Sequence, residues 1–171
     1  MIHVDLEQFA KTGILGPFNS QSTRKEIAEI LGPPERDSYP DFASFGHLSF
    51  DFVGGERPPC GIHIAFPHTS YMRPASSTWT DWKPPKWVDD QWPDQRLQWN
   101  LGRFIPGLNI QDAIAMFAEY EEVEMIYAGN GLRTLHNPIA NVDLLFEIDA
   151  DRNETTLSVM VAHPGSKTKY H

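Results

Sequence analysis

Val142-Asp-Leu-Leu-Phe-Glu-Ile-Asp149 and Thr155-Thr-Leu-Ser-Val-Met-Val-Ala-His163 are joined by a turn through Asp151, Arg152 and Asn153. Val142, Leu144, Phe146 and Ile148 fall on every second position, as do Leu157, Val159 and Val161. An apolar period of two places one face of a strand in a core and the other toward solvent. The polar turn makes the pair a hairpin, so the sheet must be antiparallel at this point. The same alternation recurs upstream in His47–Val53 (Leu48, Phe50, Phe52), Cys60–Phe66 (Ile62, Ile64, Phe66) and Arg96–Leu101 (Leu97, Trp99, Leu101). Val123–Ala128 and Leu132–His136, flanking Gly129-Asn-Gly131, read as two further short strands.

Two helices punctuate these strands. Ser22 or Thr23 can cap the first, Thr23 and Glu26 fit a capping box, Ile27, Ile30 and Leu31 make an apolar stripe, and Gly32-Pro-Pro34 ends it. Asn109 caps the second, near Ile110–Glu121, with Ile110, Ala113, Ile114 and Phe117 as its stripe. Strands do not alternate with helices, so parallel winding is disfavoured. The expectation is an α+β fold: an antiparallel sheet with two main helices packed on one face. Its 171 residues suit a single domain. Within it, residues 20–102 and 109–163 form two similar helix-plus-strands halves, although no residue-level repeat is visible.

All five tryptophans lie between Trp79 and Trp99. Trp99 belongs to a strand. The other four, Trp79, Trp82, Trp87 and Trp92, sit in a proline-rich segment spanning residues 67–95. That segment is too apolar for a flexible linker and too long for an idle connection. It either folds over the sheet, supplies anchors to a protein interface, or stacks a flat ligand.

The net charge of −9 is unevenly distributed. Residues 104–163 hold ten acids against Arg133 and Arg152. Such a half repels phosphate backbones, which argues against nucleic acid, and attracts basic proteins. Glu119, Glu121, Glu122 and Glu124 straddle the expected end of the second helix, where negative charge opposes the helix dipole. Asp149 and Asp151 add charge at the last turn. No apolar run is long enough for a membrane helix, and the acidic N-terminus is unlike a secretory leader, so a cytoplasmic location is expected. Cys60 has no partner cysteine and reads as a small, buried thiol.

Named catalytic motifs are missing: there is no phosphate-cradling glycine loop, CxxC, HExxH or nucleophile elbow. His47, His63 and His68 are the histidines around which an acid–base or metal site could form, with His136 and Asp51 as further ligands. More ordinary is the reading of solvent-facing histidines. No metal or other cofactor is expected.

Gly13-Ile-Leu-Gly-Pro-Phe-Asn-Ser-Gln-Ser-Thr-Arg-Lys-Glu-Ile-Ala-Glu-Ile-Leu-Gly-Pro-Pro34, followed by Leu48-Ser-Phe-Asp-Phe52, resembles the opening of small bacterial immunity proteins. These in turn resemble the helix-plus-sheet units of inhibitors such as the beta-lactamase inhibitory protein. The resemblance implies a non-catalytic cytoplasmic antidote that plugs a toxin's active site. It transfers no site residues, because such proteins vary their binding faces. The sequence reading is therefore an immunity or inhibitor protein that neutralises a cognate basic toxin domain, a nuclease being one such target. Its expected contacts are Trp79, Trp82, Trp87, Trp92, Glu119, Glu121, Glu122, Glu124, Asp149 and Asp151. The alternatives are a small enzyme or ligand-binding domain with a histidine-containing site beneath the Trp-rich segment, and a homo-oligomer joined through that segment.

Overall fold

The computed structural model describes residues 1–39, 41–54, 57–66, 96–123, 132–149 and 153–164. Eight strands form one antiparallel sheet: β2 (Arg36–Ser38), β3 (Phe42–Phe45), β4 (Leu48–Gly54), β5 (Arg57–Ala65), β7 (Glu121–Val123), β8 (Leu132–Asn137), β9 (Val142–Asp149) and β10 (Glu154–Ala162). Their spatial order is β2-β3-β4-β5-β10-β9-β8-β7. Two four-stranded meanders thus meet at their last strands, β5 and β10, which pair from Val159↔Ala65 to Ala162↔Ile62. A separate parallel pair joins β1 (Ile2–Asp5) to β6 (Leu97–Asn100). Three helices are described: α1 (Leu6–Thr12), α2 (Arg24–Leu31) and α3 (Ile110–Met116). The described structure is therefore mixed and strand-rich, broadly α+β.

Alternation and register together build the core. Leu48, Phe50 and Phe52 on β4 lie opposite Ile64, Ile62 and Cys60 on β5. Across the central seam Ile64 and Ile62 meet Met160 and Ala162, which meet Leu144 and Val142 on β9. All of these residues are buried. Phe18 and Phe45 set their edges against Phe50, with centroids 5.4 and 5.9 Å away, an arrangement that the ring quadrupole favours.

The capping box of α2 forms as its spacing requires: Glu26 N donates to Thr23 Oγ1, and Thr23 N to Glu26 Oε2. Ile27 and Leu31 are buried, whereas Ile30 is exposed. Helix α3 is shorter than expected. It ends at Met116, with Phe117 as its cap, where Phe117 turns inward to stack on Phe104 and Tyr120 meets Phe117 edge to face. Ile114 is consequently exposed.

Other elements depart from the sequence reading as well: β1 and α1 have no counterpart in it, and the strand expected over Val123–Ala128 begins earlier, as β7, with residues 124–128 outside the described residues. The strand around Trp99 leaves the main sheet and pairs in parallel with β1, Trp99 lying opposite Val4. Trp99 is half-buried and packs against the core. The aromatic stretch before β4 is itself the edge hairpin β2–β3. In β10 the register shifts between Leu157 and Val159, so Leu157, Val159 and Val161 do not share a face. This bulge at Ser158 turns Leu157 inward, opposite Phe146, and Val159 outward, opposite Leu145. It also lets β10 change neighbours, since Leu157 N donates to Leu108 O while Phe66 N donates to Ser158 O.

Candidate protein-binding surface

Because the inward positions of the sheet are fixed, the outward ones follow. On β4 and β5 they are Ser49, Asp51 and His63; on β9 and β10 they are Asp143, Leu145, Glu147, Asp149, Glu154, Thr156, Val159 and Val161. On β8 and β7 they are Leu132, Thr134, His136, Glu121 and Val123. Asp149 stands directly opposite Glu154, and Glu147 lies one outward position along the same strand. Among outward strand positions with described side chains, the arginine is Arg36, in register with Ser44 at the far edge.

Of the four glutamates, the three described ones lie not at a helix end but on the turn after α3 (Glu119) and on edge strand β7 (Glu121, Glu122). Glu119 and Glu121 are exposed. Glu122, one step along the pleat, turns to the other side in register with Leu135 and takes a two-pronged contact from Arg133, at 2.7 and 2.8 Å. That guanidinium holds the Glu122 carboxyl below the ordinary carboxylate range and raises Arg133 in turn. Asp149 is half-buried. Glu124, Asp151, Trp79, Trp82, Trp87, Trp92 and His68 lie outside the described residues.

Histidine–carboxylate pairs occupy the outward face. His63 Nε2 is 2.7 Å from Asp51 Oδ2. Asp143, with no solvent exposure, bridges two imidazoles: Oδ1 lies 2.7 Å from His136 Nδ1 and Oδ2 lies 2.5 Å from His163 Nε2. The register explains the meeting, because His136 and Asp143 are direct neighbours across β8–β9, and Asp143 faces Val161, two residues before His163. Asp143 and His163 escaped notice in the sequence because only the strand register brings them together. Glu147 and Glu154 were visible there as acids, but not as neighbours of Asp149 on one face. His47 sits in the β3–β4 turn, half-buried, with its carbonyl accepting from Ala65 N.

Among the described residues, no cluster of three or more histidine, cysteine, aspartate or glutamate side chains is placed to hold a metal ion. Cys60 is buried, its Sγ 3.3 Å from Asn19 O, and burial pushes the thiol up to about 11. At neutral pH it is therefore a protonated core residue and not a thiolate. Burial likewise raises the Tyr120 phenol well above its ordinary value, and its hydroxyl donates to Ala10 O at 2.6 Å. No described helix is long and apolar enough to cross a membrane. No family model matches the chain, and no curated protein or solved structure is detectably similar to it.

Proposed function

We propose that this chain is a non-catalytic immunity or inhibitor protein that binds and neutralises a cognate basic toxin domain, a nuclease being one fitting target. The observation that carries the reading is the crowding of acids at outward strand positions: Glu121, Glu147, Asp149 and Glu154, beside the His63-paired Asp51. Between these carboxylates lie Leu145, Val159 and Val123, all half-buried. Apolar ground with an anionic surround suits a protein partner rich in lysine and arginine.

We further infer that the three helices cover the opposite side of the sheet; on this side Thr134, His136, Asp143, Thr156 and Val161 are themselves buried, and the partner meets only the exposed and half-buried outward positions. Three contacts support that arrangement. A methyl group on Gly13, the cap of α1, would lie 3.6 Å from Ala162 and 3.7 Å from Val142. Ile27 of α2 lines a cavity of about 590 Å³ together with Ala43, Phe45 and Phe52. Helix α3 packs on β10. Each strand residue named belongs to the inward set.

Glu121 joins this surface directly, and Asp149 belongs to its densest corner; Glu119, on the turn after α3 near Arg103, belongs to the proposal through its exposure alone. Glu124, Asp151 and the aromatic anchors Trp79, Trp82, Trp87 and Trp92 belong to the proposal on their sequence alone. Glu122 contributes only as half of an ion pair.

The test is association kinetics with the purified product of the adjacent gene, for the wild type and for E121Q/E147Q/D149N/E154Q. The variant should associate about tenfold more slowly at low salt, and its rate should depend less on ionic strength. Equal rates for the two proteins at every salt concentration would remove the electrostatic mechanism. Absence of any complex with the wild type would remove the proposal.

A further inference from the structure

At the turn between β8 and β9 a bare isoleucine is held out to water by a rigid frame. Ile139 is 90% exposed. Beneath it Asn137 is buried, and its Oδ1 accepts from both Ile139 N and Ala140 N, at 3.0 and 3.1 Å. The Asn137 amide donates to Ala10 O, tying the turn to α1. Asn141 adopts the left-handed region with φ 54°, and its carbonyl accepts from His163 N. One pair further in, the two strands are bridged by His136 and Asp143, and His163 brings β10 to the same carboxylate. Helix, three strands and turn thus fix the position of one apolar tip.

A solitary exposed isoleucine is ordinary on a protein surface. This one differs in how little freedom its backbone retains. Restraint before binding removes an ordering cost that a flexible loop would meet on association. Large side chains that fill a recess on the partner carry most of an interface's affinity. We propose that Ile139 is the anchor of the inhibitory contact and inserts into an apolar recess of the basic partner. Glu121, in register with His136 at the turn end of the same hairpin, faces the cationic rim of that recess. The inference rests on the inhibitor reading and names the contact that would hold the complex together, whereas the carboxylates act on the encounter.

The experiment compares Ile139→Asp with Ile105→Asp, a second exposed isoleucine, 55% accessible. Dissociation from the product of the adjacent gene is followed by surface-captured kinetics. Thermal melts establish that both variants are folded, and sedimentation is run on each protein alone. The expectation is dissociation at least thirtyfold faster for I139D, the size of an anchor's loss, with I105D within twofold of wild type. A wild-type complex whose dissociation I139D leaves within twofold would overturn the anchor while leaving the inhibitor reading in place. Failure of the wild type to form any complex would overturn both. A wild-type dimer that I139D converts to monomer would reassign the tip to a second copy of this chain and overturn the proposal.

Discussion

Replacing Asp143 by alanine removes a carboxylate that has no contact with water and two imidazole partners. Hydrogen bonds to a charged group contribute about 1.5–3 kcal/mol each. The two are not equal here. His136 is 9% exposed at its side chain and cannot readily find water, whereas His163, at 18%, recovers part of its loss. Breaking a buried pair by deleting one member costs about 3–5 kcal/mol, and that is the expected destabilisation of D143A. For a protein of this length it lowers the melting midpoint by about 6–20 °C. Asparagine has the same shape and retains both contacts. Its oxygen accepts from one imidazole, and its amide donates to a bare ring nitrogen of the other once that ring changes tautomer. D143N should therefore lose only about 1–2 kcal/mol. The assay is urea unfolding at pH 7.5 followed by circular dichroism. A D143A loss below about 1 kcal/mol, or equal losses for the two variants, would show that the bridge does not hold the sheet as described.

Two further expectations concern the scaffold. Burial raises the Cys60 thiol from 9.0 to about 11, so the unfolded chain gives up this proton first as pH rises. The associated stability is intact below pH 9 and is lost between pH 9 and 11, about 2–3 kcal/mol in all. Urea midpoints of wild type and Cys60→Ala should run parallel from pH 7 to 8.5 and then converge or cross by pH 10.5; parallel curves throughout would refute the burial argument. Gly16 has φ 58°, and an added Cβ would lie 2.9 Å from His3 O on β1. Gly16→Ala should therefore cost about 1–3 kcal/mol, from the left-handed backbone and the forced shift of β1. A melt unchanged within 1 °C would contradict the placement of that loop, since even the lower figure corresponds to about 2 °C or more.

What could be read from the sequence was whatever a period of two or a cap encodes locally. Leu48, Phe50 and Phe52 declared their face, and so did Val142, Leu144 and Phe146. Thr23 with Glu26 marked the start of α2 to within a residue. Features that depend on two distant segments meeting were not legible. Helix α1 is only seven residues long, and its cap, Asp5, is also the end of β1. Only when β1 finds β6 does that stretch acquire structure, and no local pattern announces a parallel pairing across some ninety-five positions of chain. The bulge at Ser158 is similar. Val159 alternates perfectly with Leu157 in sequence, but an extra residue accommodated against β9 breaks the parity. The candidate surface suffered most, since neighbours such as Glu154 with Asp149, or His136 with Asp143, are fixed by register and not by spacing.

Adjacent Glu121 and Glu122 show how that register changes the choice of variants. Along an edge strand successive side chains point to opposite sides of the sheet. Glu121 therefore stands outward beside His136, while Glu122 turns to Arg133 and forms a structural ion pair. Alanine at every acid from Glu119 to Glu124 would strip the half-buried Arg133 of this partner and disturb the β7–β8 edge together with the surface charge. A loss of affinity in such a variant would then mix two causes, one in the fold and one in the interface. Neutralising only outward acids by amides keeps their size and leaves the Glu122–Arg133 contact intact. Under that design a slower association with an unchanged melting temperature reports on charge alone. The converse pair, Glu122→Gln with an unchanged association rate and a slightly lower midpoint, should complete the separation. A fall in association rate for E122Q as large as that for E121Q would show that the pleat does not divide the two carboxylates.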